Sequence, residues 1–358
     1  MALICPVIIG RDAELARLNT LVDGLSSEPP TGGALVVRGE AGVGKSRLVR
    51  HLAQVATTAG HTVLVGRSAQ AGRAAALAPI QQALLGLPGW ERARELDALA
   101  GLAPLLAHLL PMGGTVAAEP SPVLLAHAAL RALVHLAAPV VVILEDLHDA
   151  DPDTLSITEY LVDRVRSEPI VLVMTARPEG AHRGVVDALA GRAEVMDLAR
   201  LDPEQARAAA AACLDMGDDP LSAELRDLMD SADGLPLLVE DLVADALARD
   251  LVRADGEPGD DIRDRPSPTP ARFVDLVSRR LDALDEPTRR VVASAAVLGQ
   301  ALESHVVSAT TGLDPGAIAE GVRAASDAQL LTPDGRAFRH ALTRTLPGPN
   351  TLRVQTTP

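Results

Sequence analysis

The chain has 358 residues, which at about 150 residues per domain corresponds to two or three domains. Hydrophobic residues make up 47% and charged residues 23%, a balance that excludes a disordered chain or a small disulfide scaffold. A net charge of −15 opposes sequence-independent contact with phosphate backbones and anionic lipids, and the 1% aromatic content excludes the stacking platforms of single-strand binders. We therefore expect no membrane partner and disfavour direct DNA binding by this chain.

The cysteines and the apolar segments bear on the cellular compartment. Cys5 and Cys213 are too far apart in sequence to indicate a disulfide framework or a metal site. The first residues lack the basic head and long apolar run of a secretory signal. The uncharged stretch 98–118 is interrupted by Pro104 and Pro111, which favours buried helices over a membrane span. These features predict a cytoplasmic protein.

The predicted elements begin with a short strand at residues 7–9 and a helix capped by Asp12. A continuous apolar run at residues 34–38 predicts a strand buried on both faces, and a helix follows from Lys45 to Ala59. Further apolar strands are predicted at residues 62–65, 140–144 and 170–174, with helical sequence between them. This alternation predicts an α/β fold with a parallel sheet covered by helices on both faces.

A glycine-rich segment between the strand at 34–38 and its helix carries the strongest chemical signal. It fits the phosphate-binding pattern G-x-x-x-x-G-K-[ST], in which backbone N–H groups surround phosphate oxygens at a helix N-terminus. Lys45, the sole lysine of the chain, would reach the β- and γ-phosphates, and the Ser46 hydroxyl would hold Mg²⁺. The predicted nucleotide-binding residues of this loop are Gly39, Glu40, Ala41, Gly42, Val43, Gly44, Lys45, Ser46 and Arg47.

Polar residues at the ends of two later strands complete the predicted catalytic site. Glu145 and Asp146 follow the apolar run VVVIL, so Glu145 would hold Mg²⁺ and Asp146 would position the attacking water. Arg177 follows the strand IVLVM, where it could sense the γ-phosphate. The sequence therefore predicts a site for ATP or ADP with Mg²⁺ and a catalytic set of Lys45, Glu145, Asp146 and Arg177.

Several strings of the sequence, taken together, resemble a known family. They are IIGRDAEL, VVRGEAGVGKSRLV, VVVILEDLHDADPDTL, VLVMTARPEG, DGLPLLVEDL and FRHALTR. The chain is similar to the AAA-type signal-transduction P-loop ATPases of the STAND class. More closely, it resembles the N-terminal ATPase module of large LuxR-type ATP-binding transcriptional regulators of actinobacteria. This resemblance implies a nucleotide-dependent regulatory switch.

The resemblance also implies roles for residues outside the phosphate-binding loop. Gly10 and Arg11 would lie near the adenine, and Pro236 would pack on it. Arg177 would be the sensor, and His340 would contact the β-phosphate of bound ADP and hold a closed state. One departure is Asp149, where the family usually has tryptophan.

The domain division that we expect combines these signals. It comprises a P-loop NTPase domain at 1–200, a helical lid region at 201–252, an acidic proline-rich linker at 253–270, a winged-helix-like domain at 271–345 and a disordered tail at 346–358. The family continues with helical repeats and a DNA-binding helix-turn-helix, so the tail predicts a truncated gene or a fragment.

Three functions from different classes remain open at this point. The first is an ATP/ADP-binding switch with slow Mg²⁺-dependent hydrolysis, in which self-association or partner regulator domains complete the assembly. The second is a DNA-binding regulator that acts through the winged-helix domain, although its candidate recognition helix at 316–331 carries Arg323 against Glu320 and Asp327. The third is a small-molecule kinase.

Overall fold

The computed structural model describes residues 5–68, 76–90, 96–110, 120–178, 183–216, 221, 225–226, 229–230, 232–248, 277–278, 280–282, 284–298, 304–328, 330–331 and 338. The chain forms two compact units. One is Arg11–Ala199, and the other combines Met1–Gly10 with Arg200–Pro358. Residues 5–10 thus group with the second unit, whereas the expected NTPase domain at 1–200 included them.

The first unit is built on a five-stranded sheet in the order β2-β3-β4-β1-β5, and every adjacent pair is parallel. The strands are β1 (Gly33–Arg38), β2 (Thr62–Arg67), β3 (Val140–Glu145), β4 (Ile170–Ala176) and β5 (Glu194–Asp197). All seven residues of β4 are buried, as a central strand with helices on both faces requires. The predicted α/β fold with a parallel sheet is confirmed.

Helices connect these strands and cover the sheet. They are α1 (Asp12–Leu25), α2 (Lys45–Thr58), α3 (Ala78–Leu85), α4 (Asp97–Ala100), α5 (Ala103–Leu109), α6 (Pro122–Leu136), α7 (Pro152–Val162) and α8 (Arg183–Ala190), with 3₁₀ turns at Leu147–Asp149 and Val165–Ser167. The N-cap of α7 is Asp151, whose carboxylate accepts a hydrogen bond from the Thr154 N–H at 2.9 Å. The predicted cap of α1 was wrong, because Arg11 occupies the N-cap position and Asp12 is the first helical residue.

Strand β2 lies at one edge of the sheet, and α3 packs closely against it at Gly66. A methyl group built on Gly66 would lie 1.9 Å from the carbonyl oxygen of Pro79, so the two backbones touch only because this residue has no side chain. This contact lies one residue before the end of β2, whose last residue is Arg67.

We expect Gly66→Ala to destabilise the protein by about 2 kcal/mol or more, because the new methyl group forces a backbone shift. The free energy of unfolding from urea titration measures the effect. Gly184→Ala is the matched control, since Gly184 lies in α8 with nothing within 4 Å of the added carbon, and it should leave stability equal or higher. An unchanged urea midpoint for Gly66→Ala would contradict the proposed close approach.

The second unit is helical in its described part. Its helices are α9 (Pro203–Cys213), α10 (Pro236–Ala248), α11 (Glu286–Leu298), α12 (Ser304–Thr311) and α13 (Pro315–Asp327), and an antiparallel bridge joins Leu331 to Phe338. A capping box between Asp202 and Gln205 starts α9. Ile318, Gly321 and Ala325 of α13 are buried.

The predicted strand at residues 7–9 was wrong. The segment instead packs within the second unit: the Cys5 N–H donates to Glu240 Oε1 at 3.1 Å, the Cys5 thiol donates to the Ala209 carbonyl at 3.6 Å, and Ile9 joins the hydrophobic core. A short apolar segment can pack either in a sheet or against helices, and this one packs against helices of the second unit. The predicted linker at 253–270 and tail at 346–358 lie outside the described residues.

None of the helices in the described ranges is long and apolar enough to cross a lipid bilayer.

Candidate nucleotide-binding site

The strand order brings the predicted site residues of the first unit to one edge of the sheet. Strand β4 lies between β1 and β3, with Arg38 paired to Ala176 and Leu144 paired to Met174. All three strands run in the same direction, so the segments that follow them emerge side by side. The glycine loop follows β1, Arg177 follows β4, and the acidic pair follows β3.

The glycine loop leads directly into α2. Gly44 has φ of 109°, a left-handed conformation that glycine adopts without strain, and α2 begins at Lys45. The Lys45 side chain is buried, and its ammonium group donates to the carbonyl oxygens of Gly39 at 2.7 Å and Glu40 at 2.9 Å. The lysine therefore lies folded onto its own loop, next to the positive end of a helix dipole, where an anion would be stabilised.

Arg11 is anchored against this loop. Its guanidinium is buried and donates to the Val43 carbonyl at 3.4 Å, to the Ala199 carbonyl and to Glu14 at 3.2 Å. It thus ties the start of α1 to the middle of the loop. Gly10 lies in the other unit.

The acidic pair at the end of β3 has a constrained backbone. Asp146 has φ of 60° and ψ of 42°, which is the left-handed region and is uncommon for a residue with a side chain. Its N–H donates to the hydroxyl oxygen of Thr175 on β4 at 2.9 Å, and Thr175 is fully buried. Backbone strain of this kind is concentrated at functional sites and persists only where the surroundings fix it.

Arg67, at the end of β2, pairs with the acidic residues and was missing from the sequence-based site. It is the register partner of Glu145, donates to Glu145 Oε2 at 2.7 Å and lies 3.7 Å from Asp146 Oδ2. The hydrogen bond to Glu145, reinforced by both carboxylate charges, raises the pKa of Arg67 above its ordinary value. The only signal in the sequence is an arginine at the end of an apolar strand, which surface arginines share.

His148 is a second site residue that sequence reasoning missed. It follows the acidic pair in the 3₁₀ turn and is buried, and neither ring nitrogen has a hydrogen-bond partner. Burial, helped by the positive charges of Arg177 and Lys45 and opposed by Asp149, lowers the pKa of His148 to about 4. The imidazole is therefore neutral at physiological pH.

The residues of this edge suit Mg²⁺ bound together with a nucleotide. Ser46 and Glu145 offer the hydroxyl and carboxylate oxygens that Mg²⁺ prefers, and the ion usually takes its remaining ligands from water and phosphates. Within the described ranges, no group of three or more His, Cys, Asp or Glu side chains could hold a metal ion. Nearby, the buried Ser68 hydroxyl also lacks a hydrogen-bond partner.

The remaining predicted site residues are placed as follows. Arg177 is half-buried directly after β4. Pro236 begins α10 in the second unit, and His340 lies outside the described residues. The roles given to Gly10, Pro236 and His340 therefore stay predictions.

Comparison with known proteins agrees with this geometry. Residues 7–174 match the model of the AAA ATPase domain family. The fold is shared with the Walker-type ATPase of Pyrococcus abyssi, at 11% identity and a TM-score of 0.58 over 94% of this chain and 95% of the other. It is shared with the ORC2 protein of Aeropyrum pernix in its ADPNP and ADP complexes, at 14% identity and a TM-score of 0.57 over 95% and 92%.

A sequence relative is an uncharacterized protein of Rhizobium meliloti (strain 1021), which is 26% identical over 321 residues and 82% of this chain. This chain aligns with only 30% of that relative's length. The match at residues 7–174, the sheet order and the loop geometry lead to one conclusion. The chain has a P-loop ATPase-like fold, and its residues 7–174 are similar to the AAA ATPase domain.

Proposed function

We propose that the protein is an ATP/ADP-binding regulatory switch with slow Mg²⁺-dependent hydrolysis of ATP. The observation that carries the proposal is the convergence of Lys45, Arg177 and the acidic pair at the carboxyl edge of β1, β4 and β3. Lys45 supplies a cation for the phosphates. The more buried carboxylate of Glu145 is available for Mg²⁺, and the more exposed carboxylate of Asp146 is available for the attacking water.

The proposed chemistry assigns one task to each group. Lys45 exchanges its two loop carbonyls for the β- and γ-phosphate oxygens of the substrate. Ser46 and Glu145 hold Mg²⁺, which when bound neutralises phosphate charge. Asp146, fixed by Thr175, accepts a hydrogen bond from the attacking water, and Arg177 contacts the terminal phosphate.

Slow hydrolysis is supported by the Arg67 pairing. As long as its guanidinium engages Glu145, that carboxylate is less available to the metal ion, so the arginine competes with Mg²⁺ binding. The competition is modest because the Arg67 side chain is 52% exposed, and exposed pairs contribute little free energy.

We expect Arg67→Ala to lower the Mg²⁺ concentration for half-maximal ATP hydrolysis by about threefold, the effect of losing one exposed ion pair. Phosphate release at varied Mg²⁺ and saturating ATP measures the change. Arg17→Ala is the matched control, because Arg17 forms a similar pair with Glu194 at β5. A higher Mg²⁺ requirement in Arg67→Ala would show that the arginine supports the site instead.

The switch itself is tested by the nucleotide that the protein retains. The protein is purified without added nucleotide and denatured, and the released nucleotide is identified and quantified by chromatography. Near-equimolar ADP supports a resting switch. Protein that is folded, empty and unable to bind ATP or ADP in calorimetry contradicts the proposal.

A role as the ATPase module of a LuxR-type transcriptional regulator is part of the proposal and rests on the resemblance of the sequence strings. Self-association or regulator domains would then transmit the nucleotide state. Direct DNA reading through α13 is disfavoured, because Ile318, Gly321 and Ala325 of this helix are buried in the protein. A gel-shift assay with salt-dependent retention of DNA would reverse this judgement, and phosphorylated small molecules would support a kinase.

A further inference from the structure

His148 is a buried polar residue of the first unit to which the proposed chemistry gives no task. Its side chain is 7% exposed, and both Nδ1 and Nε2 lack a hydrogen-bond partner. The carboxylate of Asp149 lies close by, with its Oδ2 3.5 Å from Nε2. Buried polar groups are nearly always hydrogen-bonded, so an unsatisfied imidazole at this depth indicates a ligand or a functional strain.

The position of His148 points to the terminal phosphate rather than to the rest of the nucleotide. It lies two residues beyond Asp146, the residue proposed to position the attacking water. The charges that act on its ring come from Arg177 after β4, from Lys45 at the start of α2 and from Asp149 in its own turn. Water attacks the terminal phosphorus in line with the leaving oxygen, so groups around Asp146 and Arg177 face that phosphate.

The chemistry of the ring suits a phosphate oxygen. A neutral imidazole carries one N–H donor, which can reside on either nitrogen, and one acceptor. A phosphate oxygen accepts strongly from such a donor, and in a buried site this hydrogen bond is stronger than in water. ADP has no γ-phosphate and would leave the ring unsatisfied.

We propose that His148 contacts the terminal phosphate of ATP and thereby makes the site discriminate between ATP and ADP. This inference rests on the proposed nucleotide-binding function. It assigns the discrimination between the two states of the switch to a residue inside the ATPase domain.

The test compares the non-hydrolysable analogue ADPNP with ADP by calorimetry in the presence of Mg²⁺. We expect His148→Phe, which keeps a ring of similar size, to weaken ADPNP binding by about tenfold, as loss of a hydrogen bond to a charged group predicts. ADP affinity should change by less than about twofold, because no contact to ADP is lost. The matched control is His51→Phe, which should change neither affinity. His51 has a buried, unpartnered Nε2 but lies six residues beyond Lys45 along α2, roughly 9 Å away in rise.

Conservative variants separate a direct contact from a structural role. The amide nitrogen of Asn occupies a place close to Nδ1, and that of Gln a place close to Nε2. At least one of His148→Asn and His148→Gln should retain ADPNP affinity within about threefold of the original. If His148→Phe does not fold, judged by its thermal unfolding, the same comparison is made between His148→Ala and these two variants.

Equal weakening of ADPNP and ADP by His148→Phe, or no weakening of either, would overturn the inference and leave the proposed function standing. Failure of the unaltered protein to bind either nucleotide would overturn the proposed function and this inference with it.

Discussion

Replacing Lys45 with alanine should abolish ATP binding, with a loss of affinity of roughly 100-fold or more, while the protein remains folded. The ammonium group donates to two loop carbonyls and has the reach to transfer those hydrogen bonds to phosphate oxygens. Two charge-assisted hydrogen bonds, each contributing about 1.5–3 kcal/mol, account for a loss of this size. Alanine is the best helix former at the first position of α2, so the helix should persist.

Calorimetry with ATP and Mg²⁺ measures the affinity of the Lys45→Ala variant, and thermal denaturation checks its fold. Arg50→Ala is the matched control, because Arg50 is an exposed cation on the same helix and its loss should leave ATP affinity unchanged. Retained ATP affinity in Lys45→Ala would count against the glycine loop as the phosphate site.

The second large effect is expected for Asp146→Asn, which should slow hydrolysis by about 100-fold or more, within the range that general-base groups contribute. ATP affinity should change by less than about threefold, because the amide removes a charge without removing a contact to the nucleotide. Asparagine keeps the shape of aspartate and tolerates the left-handed backbone at this position. The N–H bond to Thr175 is therefore retained.

Single-turnover hydrolysis and calorimetry, carried out on the same preparation, separate the two effects of Asp146→Asn. Asp153→Asn is the control for loss of a nearby carboxylate, since Asp153 is exposed in the first turn of α7. Equal loss of hydrolysis and of binding would contradict the assignment of Asp146 to the attacking water and would place it among the binding groups.

Together these variants distinguish the groups that bind from the groups that react. Lys45→Ala should remove ATP binding, Asp146→Asn should slow turnover with ATP still bound, and His148→Phe should weaken the preference for ATP over ADP. A protein that followed this pattern would have nucleotide recognition, state discrimination and hydrolysis assigned to separate side chains of one sheet edge.

Local patterns in the sequence determined the elements that support the site. The apolar runs at β1, β3 and β4 are buried on both faces, so their composition alone predicts strands, and the glycine loop is encoded within eight consecutive residues. The acidic pair was found in the same way, because it directly follows an apolar run. Strand β5 was not predicted, because it has four residues, of which Glu194 and Asp197 are charged, and therefore no apolar run.

Only the tertiary structure decided which polar groups meet at the site. Arg67 and Glu145 are separated by 78 positions and are brought together by the pairing of β2 with β3, which no local periodicity encodes. The support of Asp146 by Thr175 likewise depends on β4 lying beside β3. The effect of the charges of Lys45, Arg177 and Asp149 on the buried His148 ring has the same origin. Hydrophobic patterning specifies how much of each element is buried, whereas contacts between polar side chains distant in sequence depend on strand order and register, which are set when the whole sheet assembles.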